Sequence, residues 1–420
     1  MWQGLRSGIA REVIEKVRPL IDNQSRAPAA QVVTTPDLGS IYLNAQPWSL
    51  TISDNMHTTF VFDREGRPVS CFLGGGNYRF GLSGDVLLKV AAPQSPKLRR
   101  RLPAEEAARL RATVHAHVAR IAAGVAHALS DELRGWLDLI LAWDEARAQA
   151  DRQLFQTIYK PVSIVPPDQY RALVLQMTEG CSWNRCTFCS FYRDRRFRIK
   201  SPSDLRQHIR QIKAMLGRGI GLRRSVFLGD ANALIVPQPR LRELLEVVRD
   251  ELPGQDLYAF LDIFGAEQKT AEEYAELRDY GVRRVYIGLE SGDEAVFGLL
   301  NKPGSPQQCV AMVERIRAAG VQVGVILLAG PGGATLARQH VAQSITTLAA
   351  MGLGAGDMVY ISPLIVPDDG GYAERARELR VEPLSQPALD AQLVELLAGA
   401  RAAVGGGARV ALYHIEEWLY

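Results

Sequence analysis

Three of the five cysteines in the chain lie within nine residues, at Cys181, Cys186 and Cys189. They follow an apolar run at residues 172–177, which predicts a buried β-strand. Thiolates clustered this closely are typical ligands of an iron–sulfur cluster, zinc or copper(I). Four ligands would complete a tetrahedral zinc site or serve every iron of a [4Fe–4S] cluster. Three cysteines in one loop therefore leave one coordination position for another ligand.

The non-catalytic alternative for this loop is a structural zinc site. The nearest candidate for a fourth zinc ligand is His208, which lies nineteen residues after Cys189 on a predicted helix. That spacing does not match the short ligand spacings of structural zinc sites. The two remaining cysteines, Cys71 and Cys309, are too few to hold a second iron–sulfur cluster.

The composition is that of a globular protein with two or three domains, because 420 residues are 47% apolar and 23% charged. A formal net charge of +3 provides no broad basic surface, so we expect no nucleic-acid partner. No apolar run approaches the roughly 20 residues that span a bilayer, and no secretory signal is evident. We therefore expect a cytoplasmic protein with no membrane contact.

The first 160 residues predict an N-terminal α+β domain. A helix is predicted at residues 8–21, and strands are predicted from residue 41 onward. Residues 58–62 and 69–73 predict a hairpin, and a tight turn follows at Gly74-Gly75-Gly76. The period then becomes helical and predicts two long helices, at residues 104–129 and 131–158. This domain is a candidate cap that selects the substrate.

Residues 161–370 alternate between strand and helix patterns, which predicts a parallel sheet with right-handed crossovers. The predicted strands are 172–177, 224–229, 257–262, 283–289, 321–328 and 357–362, and the predicted helices are 202–217, 239–251, 268–280, 306–319 and 335–351. Residues 371–420 form a short C-terminal extension, with a helix at 386–403 and a strand at 410–415.

Ligands of parallel α/β sheets bind at the carboxyl ends of the strands. The residues predicted at these ends, beyond the cysteine loop, are Gly229 and Asp230 after the second strand, Glu290 and Ser291 after the fourth, Gly330 after the fifth, and Ile361 and Leu364 on or after the sixth. The alternative for Asp230 is a structural one, in which its carboxylate caps the N-terminus of the next helix.

The cysteine loop, Phe188 before its last cysteine, and the segment Ile287-Gly-Leu-Glu-Ser-Gly-Asp-Glu, with Leu-Leu-Asn-Lys-Pro-Gly at residues 299–304, resemble the radical S-adenosylmethionine (SAM) superfamily. The resemblance is to the core shared by oxygen-independent coproporphyrinogen oxidase and the methylthiotransferases. The commonest spacing there is C-x3-C-x2-C, whereas this chain has C-x4-C-x2-C. The resemblance implies an α/β fold with a partial (β/α)6 TIM-like barrel.

By this resemblance, Cys181, Cys186 and Cys189 bind three irons of a [4Fe–4S] cluster, and the fourth iron binds SAM. The resemblance also implies which residues contact SAM: Gly229 and Asp230 at its ammonium, Glu290 and Ser291 at its ribose or carboxylate, and Phe188, Gly330, Ile361 and Leu364 beside its adenine. Because the N-terminal domain lacks an alternating β/α pattern, we expect no cobalamin.

The resemblance implies an enzyme that cleaves SAM reductively to a 5′-deoxyadenosyl radical, which removes hydrogen from an unknown small molecule. A one-electron donor such as flavodoxin or ferredoxin would supply the electron. Cys309 is a candidate donor of a hydrogen atom, although a buried inert thiol is the simpler interpretation. Three alternatives stay open: release of a 3-amino-3-carboxypropyl group with methylthioadenosine, a non-enzymatic metal-binding scaffold, and an RNA-modifying enzyme.

Overall fold

A computed structural model describes residues 29–54, 57–90, 98–263, 269–367 and 371–420. The predicted helix at residues 8–21 lies outside them. Contacts divide the chain into two compact units, of which the first runs through Phe155 and also includes Met215–Leu222 and Leu419. The second unit comprises Gln156–Ala214, Arg223–Trp418 and Tyr420. The domain boundary expected at residue 160 stays a prediction.

The first unit contains an eight-stranded antiparallel meander in which each strand pairs with the next one in the chain. Its strands are β1 (Ala29–Thr35), β2 (Gly39–Gln46), β3 (Ser49–Asp54), β4 (Thr58–Asp63), β5 (Pro68–Leu73), β6 (Gly76–Phe80), β7 (Val86–Val90) and β8 (Leu98–Arg101). Gly74 and Gly75 join β5 to β6 with φ angles of 58° and 79°. These angles are typical of a two-residue hairpin turn, so the predicted turn is confirmed.

Three helices follow, α1 (Ala104–Val125), α2 (Asp131–Leu141) and α3 (Glu145–Ile158). The prediction of one helix over residues 131–158 is wrong, because the helix ends at Leu141. The Asp144 carboxylate accepts a 2.8 Å hydrogen bond from the backbone N–H of Arg147, which starts a new helix as an N-terminal cap does. The buried Trp143 lies in the break between the two helices. The guanidinium carbons of Arg67 and Arg147 lie 4.7 and 4.6 Å from the centroid of its ring.

A buried cation lies between two carboxylates in this unit, and we call Arg67, Asp63 and Asp151 the first charge cluster. Arg67 Nη1 lies 2.7 Å from Asp63 Oδ2, and Arg67 Nη2 lies 2.8 Å from Asp151 Oδ1. Arg67 Nε donates a further bond of 3.0 Å to Asp151. Every contact is a direct, charge-assisted hydrogen bond. The Arg67 side chain is only 8% exposed.

The second unit is built on a seven-stranded parallel sheet whose spatial order follows the chain. The strands are β9 (Ala172–Gln176), β12 (Ser225–Gly229), β13 (Leu257–Phe260), β14 (Val282–Glu290), β15 (Gln322–Ala329), β16 (Met358–Pro363) and β17 (Arg409–Leu412), while β10 (Thr178–Glu179) and β11 (Arg198–Ile199) form a separate antiparallel ribbon. The prediction of a partial (β/α) barrel is confirmed. The final strand, predicted within a C-terminal extension, pairs with β16 as the seventh strand of the same sheet.

The helices of this unit are α4 (Pro202–Leu216), α5 (Gln238–Glu251), α6 (Ala271–Asp279), α7 (Glu294–Leu299), α8 (Pro306–Ala318), α9 (Ala337–Ala350), α10 (Tyr372–Glu378) and α11 (Gln386–Ala403). The short helices α7 and α10 were not predicted, because each covers only one or two turns. Among the described residues, no helix combines the length and apolarity needed to cross a membrane.

Two tyrosine side chains cover part of the outer edge of β9. The Tyr159 hydroxyl donates to the carbonyl of Val174, and the Tyr420 hydroxyl accepts from the backbone N–H of Val174, each at 2.9 Å. The two hydroxyls lie 3.1 Å apart. Because β9 is the first strand in the order of the sheet, these hydroxyls occupy backbone groups that a neighbouring strand would otherwise bind.

Candidate active site

The cysteine loop begins at the carboxyl end of β9 and is closed at its base by the β10–β11 ribbon. Glu179, two residues before Cys181, pairs with Arg198 across this ribbon. Its carboxylate accepts a 2.9 Å bond from Arg198 and also contacts Lys200. The hydrogen bond from Arg198 is the largest of the effects that lower the pKa of Glu179 to about 2. The base of the loop is therefore held by ionised groups at neutral pH.

The extra residue between the first two cysteines is accommodated by a left-handed turn at Asn184, whose φ is 49°. Asparagine is one of the few residues that adopt this conformation readily. The backbone N–H of Asn184 donates to Cys181 Sγ at 3.3 Å, and its side-chain amide donates to the carbonyl of Tyr192 at 3.0 Å. The longer spacing therefore has a defined, hydrogen-bonded conformation.

The same loop is bonded to the turn that follows α7. Trp183 Nε1 donates to the Asn301 carbonyl at 2.9 Å, and the Asn301 amide donates to the Arg185 carbonyl at 2.8 Å. Between the second and third cysteines, the backbone N–H of Thr187 donates to the Leu300 carbonyl at 3.0 Å. Both cysteine intervals are thus attached to one short segment, residues 299–301.

The three loop cysteines are free and half-buried. Burial raises the pKa of the Cys186 thiol to about 12 and that of Cys189 to about 11, while the ammonium of Lys302 is one of the smaller effects that lower both. In the described ranges, no three Cys, His, Asp or Glu side chains converge on one point as ligands of a single metal ion. The thiolates of a [4Fe–4S] cluster bind different irons, so they do not share such a point.

Asp230 is placed behind the cysteine loop. Its carboxylate accepts hydrogen bonds of 2.9 Å from the Gly180 backbone and 2.9 Å from Gln176 Nε2, and Arg195 lies at 3.3 Å. Its burial raises its pKa. The alternative that Asp230 caps α5 is wrong, because Pro237 precedes that helix. Asp230 instead holds the residue before Cys181, and its contact with SAM stays a prediction, as does that of neighbouring Gly229.

Glu290 ends β14 in a left-handed conformation, with φ of 61°, which is rare for a residue other than glycine. Burial raises the pKa of its carboxyl group to about 7. Lys302 Nζ lies 3.7 Å from Glu290 Oε1 and 3.9 Å from Asp262 Oδ1. Both distances exceed the range of about 2.7–3.2 Å for a direct N–H···O bond. We call Lys302, Glu290 and Asp262 the second charge cluster.

Ser291 is fully buried and bonded to a histidine of α9. Its hydroxyl lies 2.8 Å from His340 Nδ1 and accepts a 3.0 Å bond from the Asp293 backbone. His340 Nε2 faces the Leu328 carbonyl at 3.0 Å and must donate to it, so Nδ1 accepts the Ser291 proton. Burial lowers the pKa of His340 to about 4, in agreement with this neutral tautomer. The predicted contact of Ser291 with SAM stays a prediction.

Of the four residues predicted beside adenine, Phe188 lies in the cysteine loop and Gly330 follows β15. Ile361 lies within β16, and Leu364 follows that strand. Phe188 and Leu364 both pack against one apolar cluster of buried residues, which comprises Val296, Leu299, Leu300, Tyr372 and Ala376. Gly330 has φ of 98°, and its N–H donates to Gln392 at 2.6 Å. Ile361 is fully buried within β16. The structure therefore brings Phe188 and Leu364 to a common apolar surface.

His208 and Cys309 are both buried in the fold. His208, the candidate fourth zinc ligand, accepts a 3.3 Å bond at Nε2 from the Gln176 backbone, and burial lowers its pKa to about 3. That nitrogen is therefore already used within the fold. Cys309 is fully buried on α8, and burial raises the pKa of its thiol.

Three polar residues of this region were missed by sequence reasoning: Asp262, Lys302 and Asn232. Both side-chain amide atoms of Asn232 are buried and lack a hydrogen-bond partner within the described part of the chain. Asn232 stands two residues after Asp230, so its place after a strand was the available signal. Lys302 belongs to the quoted Leu-Leu-Asn-Lys-Pro-Gly segment, but nothing in that pattern predicts that its ammonium is buried.

Comparisons with known proteins point to one family. The sequence model of the radical SAM superfamily matches residues 175–344. A 4′-phospho-dehydrooxetanocin synthase of Priestia megaterium is 25% identical over 169 residues, which are 36% of this chain and 22% of that protein. The match thus spans less than a quarter of that relative.

Two solved structures are similar at low identity. Coproporphyrinogen III oxidase of Escherichia coli is 14% identical, with 61% of this chain and 55% of that chain covered and a TM-score of 0.43. Methylornithine synthase is 15% identical, with 57% of this chain and 72% of that chain covered and a TM-score of 0.39.

Radical SAM proteins bind a [4Fe–4S] cluster and SAM, and the donor set described above fits both. The three free thiols in one loop can serve three irons. The unpaired amide of Asn232 offers a buried donor and acceptor to a polar ligand. Together with the family match over residues 175–344, these features indicate that this part of the chain is similar to the radical SAM superfamily, and the chain is an enzyme.

Proposed function

We propose that this enzyme uses Cys181, Cys186 and Cys189 to hold three irons of a [4Fe–4S] cluster. The cluster, when bound, would supply one electron that cleaves SAM to methionine and a 5′-deoxyadenosyl radical. This radical would take a hydrogen atom from a small-molecule substrate, which yields 5′-deoxyadenosine and a substrate radical. The observation that carries the proposal is the loop itself, in which three free thiols are held at the carboxyl end of β9.

The other residues of the site would bind and orient. Asp230 would keep the first cysteine in place through its bond to Gly180. Phe188 and Leu364 would flank adenine and exclude water, since both pack on an apolar surface. Gly330 and Ile361 would complete that wall, and the carboxylate of Glu290 would accept hydrogen bonds from the ribose hydroxyls of SAM.

A second candidate is cleavage of another C–S bond, with release of methylthioadenosine and a 3-amino-3-carboxypropyl group. The observation that favours it is the longer first interval of the cysteine loop, with its left-handed turn at Asn184. A changed loop can change how SAM lies against the cluster, and the bond aligned for cleavage would change with it.

The electron donor and the location are part of the proposal. Arg193 and Arg196 are exposed, and they follow Cys189 closely in the chain. Exposed guanidinium groups favour an acidic one-electron donor such as flavodoxin or ferredoxin. Radical chemistry with free thiols and a reduced cluster favours the cytoplasm. Residues 1–160 would act as a cap that selects the substrate.

The test begins with anaerobic reconstitution of the full chain with iron and sulfide, followed by reduction with dithionite and addition of SAM. We expect 5′-deoxyadenosine as the nucleoside released, whereas methylthioadenosine would support the second candidate. Cys186→Ala is expected to lose the [4Fe–4S] absorbance and all SAM cleavage. Cys71→Ala, which changes a buried cysteine of β5 in the first unit, is the matched control and should retain both. A full cluster in Cys186→Ala would contradict the ligand assignment.

A further inference from the structure

A buried cation of the second unit has no role in the function proposed above. The Lys302 side chain is only 6% exposed. Its position is fixed relative to the cysteine loop, because the preceding residues, Leu300 and Asn301, are bonded to the backbone of Thr187 and Arg185. The backbone that leads into Lys302 is therefore attached to the loop that carries the thiols.

The charge of Lys302 is only loosely compensated. Its ammonium lies 3.7 Å from Glu290 and 3.9 Å from Asp262, which is too far for a direct hydrogen bond. Burial alone would lower the pKa of Lys302, but the two carboxylates outweigh this effect and raise it. The group therefore stays protonated at neutral pH. Burial raises the pKa of Cys181, Cys186 and Cys189, and the positive charge of Lys302 is one of the smaller effects that lower it.

The sheet is shaped to admit this arrangement. A Cβ atom at Gly288 of β14 would lie 2.1 Å from Glu290 Oε1 and 3.3 Å from Lys302 Nζ. Any other residue at this position would displace the carboxylate or the ammonium. The absence of a side chain at Gly288 is an observation independent of the charges, and it shows that the strand leaves space for both groups.

We infer that Lys302 sets the reduction potential of the cluster bound by the cysteine loop, an inference that rests on the proposed function. A [4Fe–4S] cluster takes up one electron from a low-potential one-electron donor, and its net charge becomes more negative by one. A nearby buried cation stabilises this reduced form more than the oxidised form, since net charge and burial control these potentials. Lys302 would thus act through its charge on the cluster, without contacting the reacting atoms, and is not a catalytic residue.

The test is a potentiometric titration of the reconstituted full chain without SAM, followed by electron paramagnetic resonance of the reduced cluster. In Lys302→Met we expect at least a tenfold shift of the equilibrium toward the oxidised cluster, which is about 59 mV for a one-electron couple. Lys302→Arg keeps the charge and should restore most of the wild-type potential. Asp262→Asn removes an opposing charge and should shift the potential the other way.

The matched control is Lys269→Met, since Lys269 is also buried but donates to the Val236 carbonyl and to Gln238. The reduction potential of the cluster in Lys269→Met should equal that of the wild type. An unchanged potential in Lys302→Met with full iron content would overturn the inference while leaving the proposed function intact. If Lys302→Met does not hold a cluster, the sign of the Asp262→Asn shift decides. A wild-type chain without a [4Fe–4S] cluster would overturn the proposed function and the inference together.

Discussion

The two units contain buried charge clusters of the same composition, one cation between two carboxylates, but with different geometry. In the first cluster, Arg67 donates directly to Asp63 and Asp151 at 2.7–3.0 Å. In the second cluster, Lys302 remains 3.7–3.9 Å from its two carboxylates. The Arg67 and Lys302 side chains are buried to a similar degree, at 8% and 6% exposed. Burial alone therefore does not distinguish them.

The two clusters differ in how many of the cation's N–H groups donate directly to the carboxylates. A planar guanidinium with directional donors suits a closed set of bonds that holds β-strands and helices together. A compact ammonium without short contacts leaves the oxygens of its two carboxylates available to a ligand. Its positive charge is also less completely neutralised, so its electric field extends beyond the cluster. We expect the first charge cluster to stabilise its unit, and we infer that the second acts on the candidate site.

The largest expected effect separates the two cations by stability. Arg67→Met should lower the free energy of unfolding by about 3–5 kcal/mol, because it leaves two buried carboxylates without an opposite charge. Lys302→Met should cost at most about 2 kcal/mol, since no direct hydrogen bond is lost and Glu290 can take up a proton. Hydrogen–deuterium exchange of peptides from β4–β5 and from β14 reads each unit separately. Equal losses would remove the distinction between the clusters.

The next effect concerns pH and tests the looser cluster by itself. The pKa of Glu290 is about 7, against an ordinary value of 4.5. Between these pH values the folded chain keeps a proton that the unfolded chain has released, so the free energy of unfolding falls as pH rises. The total fall attributable to Glu290 is about 3 kcal/mol and ends above pH 7. Urea unfolding of the metal-free protein at pH 4.5–8 should show this slope, and Glu290→Gln should lack it.

Glu179→Gln is the control of opposite sign. The pKa of Glu179 is lowered to about 2, so its stabilising contribution is complete above pH 4.5 and is lost as pH falls toward 2. If Glu290→Gln keeps the wild-type slope between pH 4.5 and 7, the carboxyl group is ionised in the folded state and the second cluster is tighter than its distances indicate.

The smallest effect compares two glycines beside the clusters. A Cβ at Gly66, which has φ of 85°, would lie 2.3 Å from the backbone oxygen of Leu139, so Gly66→Ala should cost about 2–3 kcal/mol. In Gly288→Ala the Cβ meets only the ends of flexible side chains, and about 1 kcal/mol is expected. Thermal unfolding measures both. A larger loss in Gly288→Ala than in Gly66→Ala would indicate that the Glu290 carboxylate cannot move aside.

Much of the fold could be predicted from periodicity. All six strands expected in the second unit are present, and the helix at residues 386–403 has the predicted bounds. The break at Trp143 was missed because helical periodicity continues through it, although Asp144 is a usual helix-capping residue. The pairing of β17 with β16 was also missed, since pairing depends on tertiary contacts that no local pattern contains.

The candidate site divides in the same way. Motif residues such as the three cysteines and Glu290 can be recognised from sequence because they occupy strand ends. Lys302 and Asn232 could not be assigned, because their importance comes from burial and from the partners they have or lack in the folded chain. The bonds of Asp230 to Gly180 and of Ser291 to His340 likewise join residues that are far apart in sequence.

The tyrosine pair at the edge of β9 bears on self-association. An exposed strand edge is a template on which a strand of another molecule can add, and proteins usually block it with charge, proline or a cover. Here the hydroxyls of Tyr159 and Tyr420 occupy both backbone groups of Val174. The edge strand of this open parallel sheet is thereby protected from pairing with a strand of a second copy. Tyr420→Phe would free the backbone N–H of Val174 and make aggregation through this edge easier.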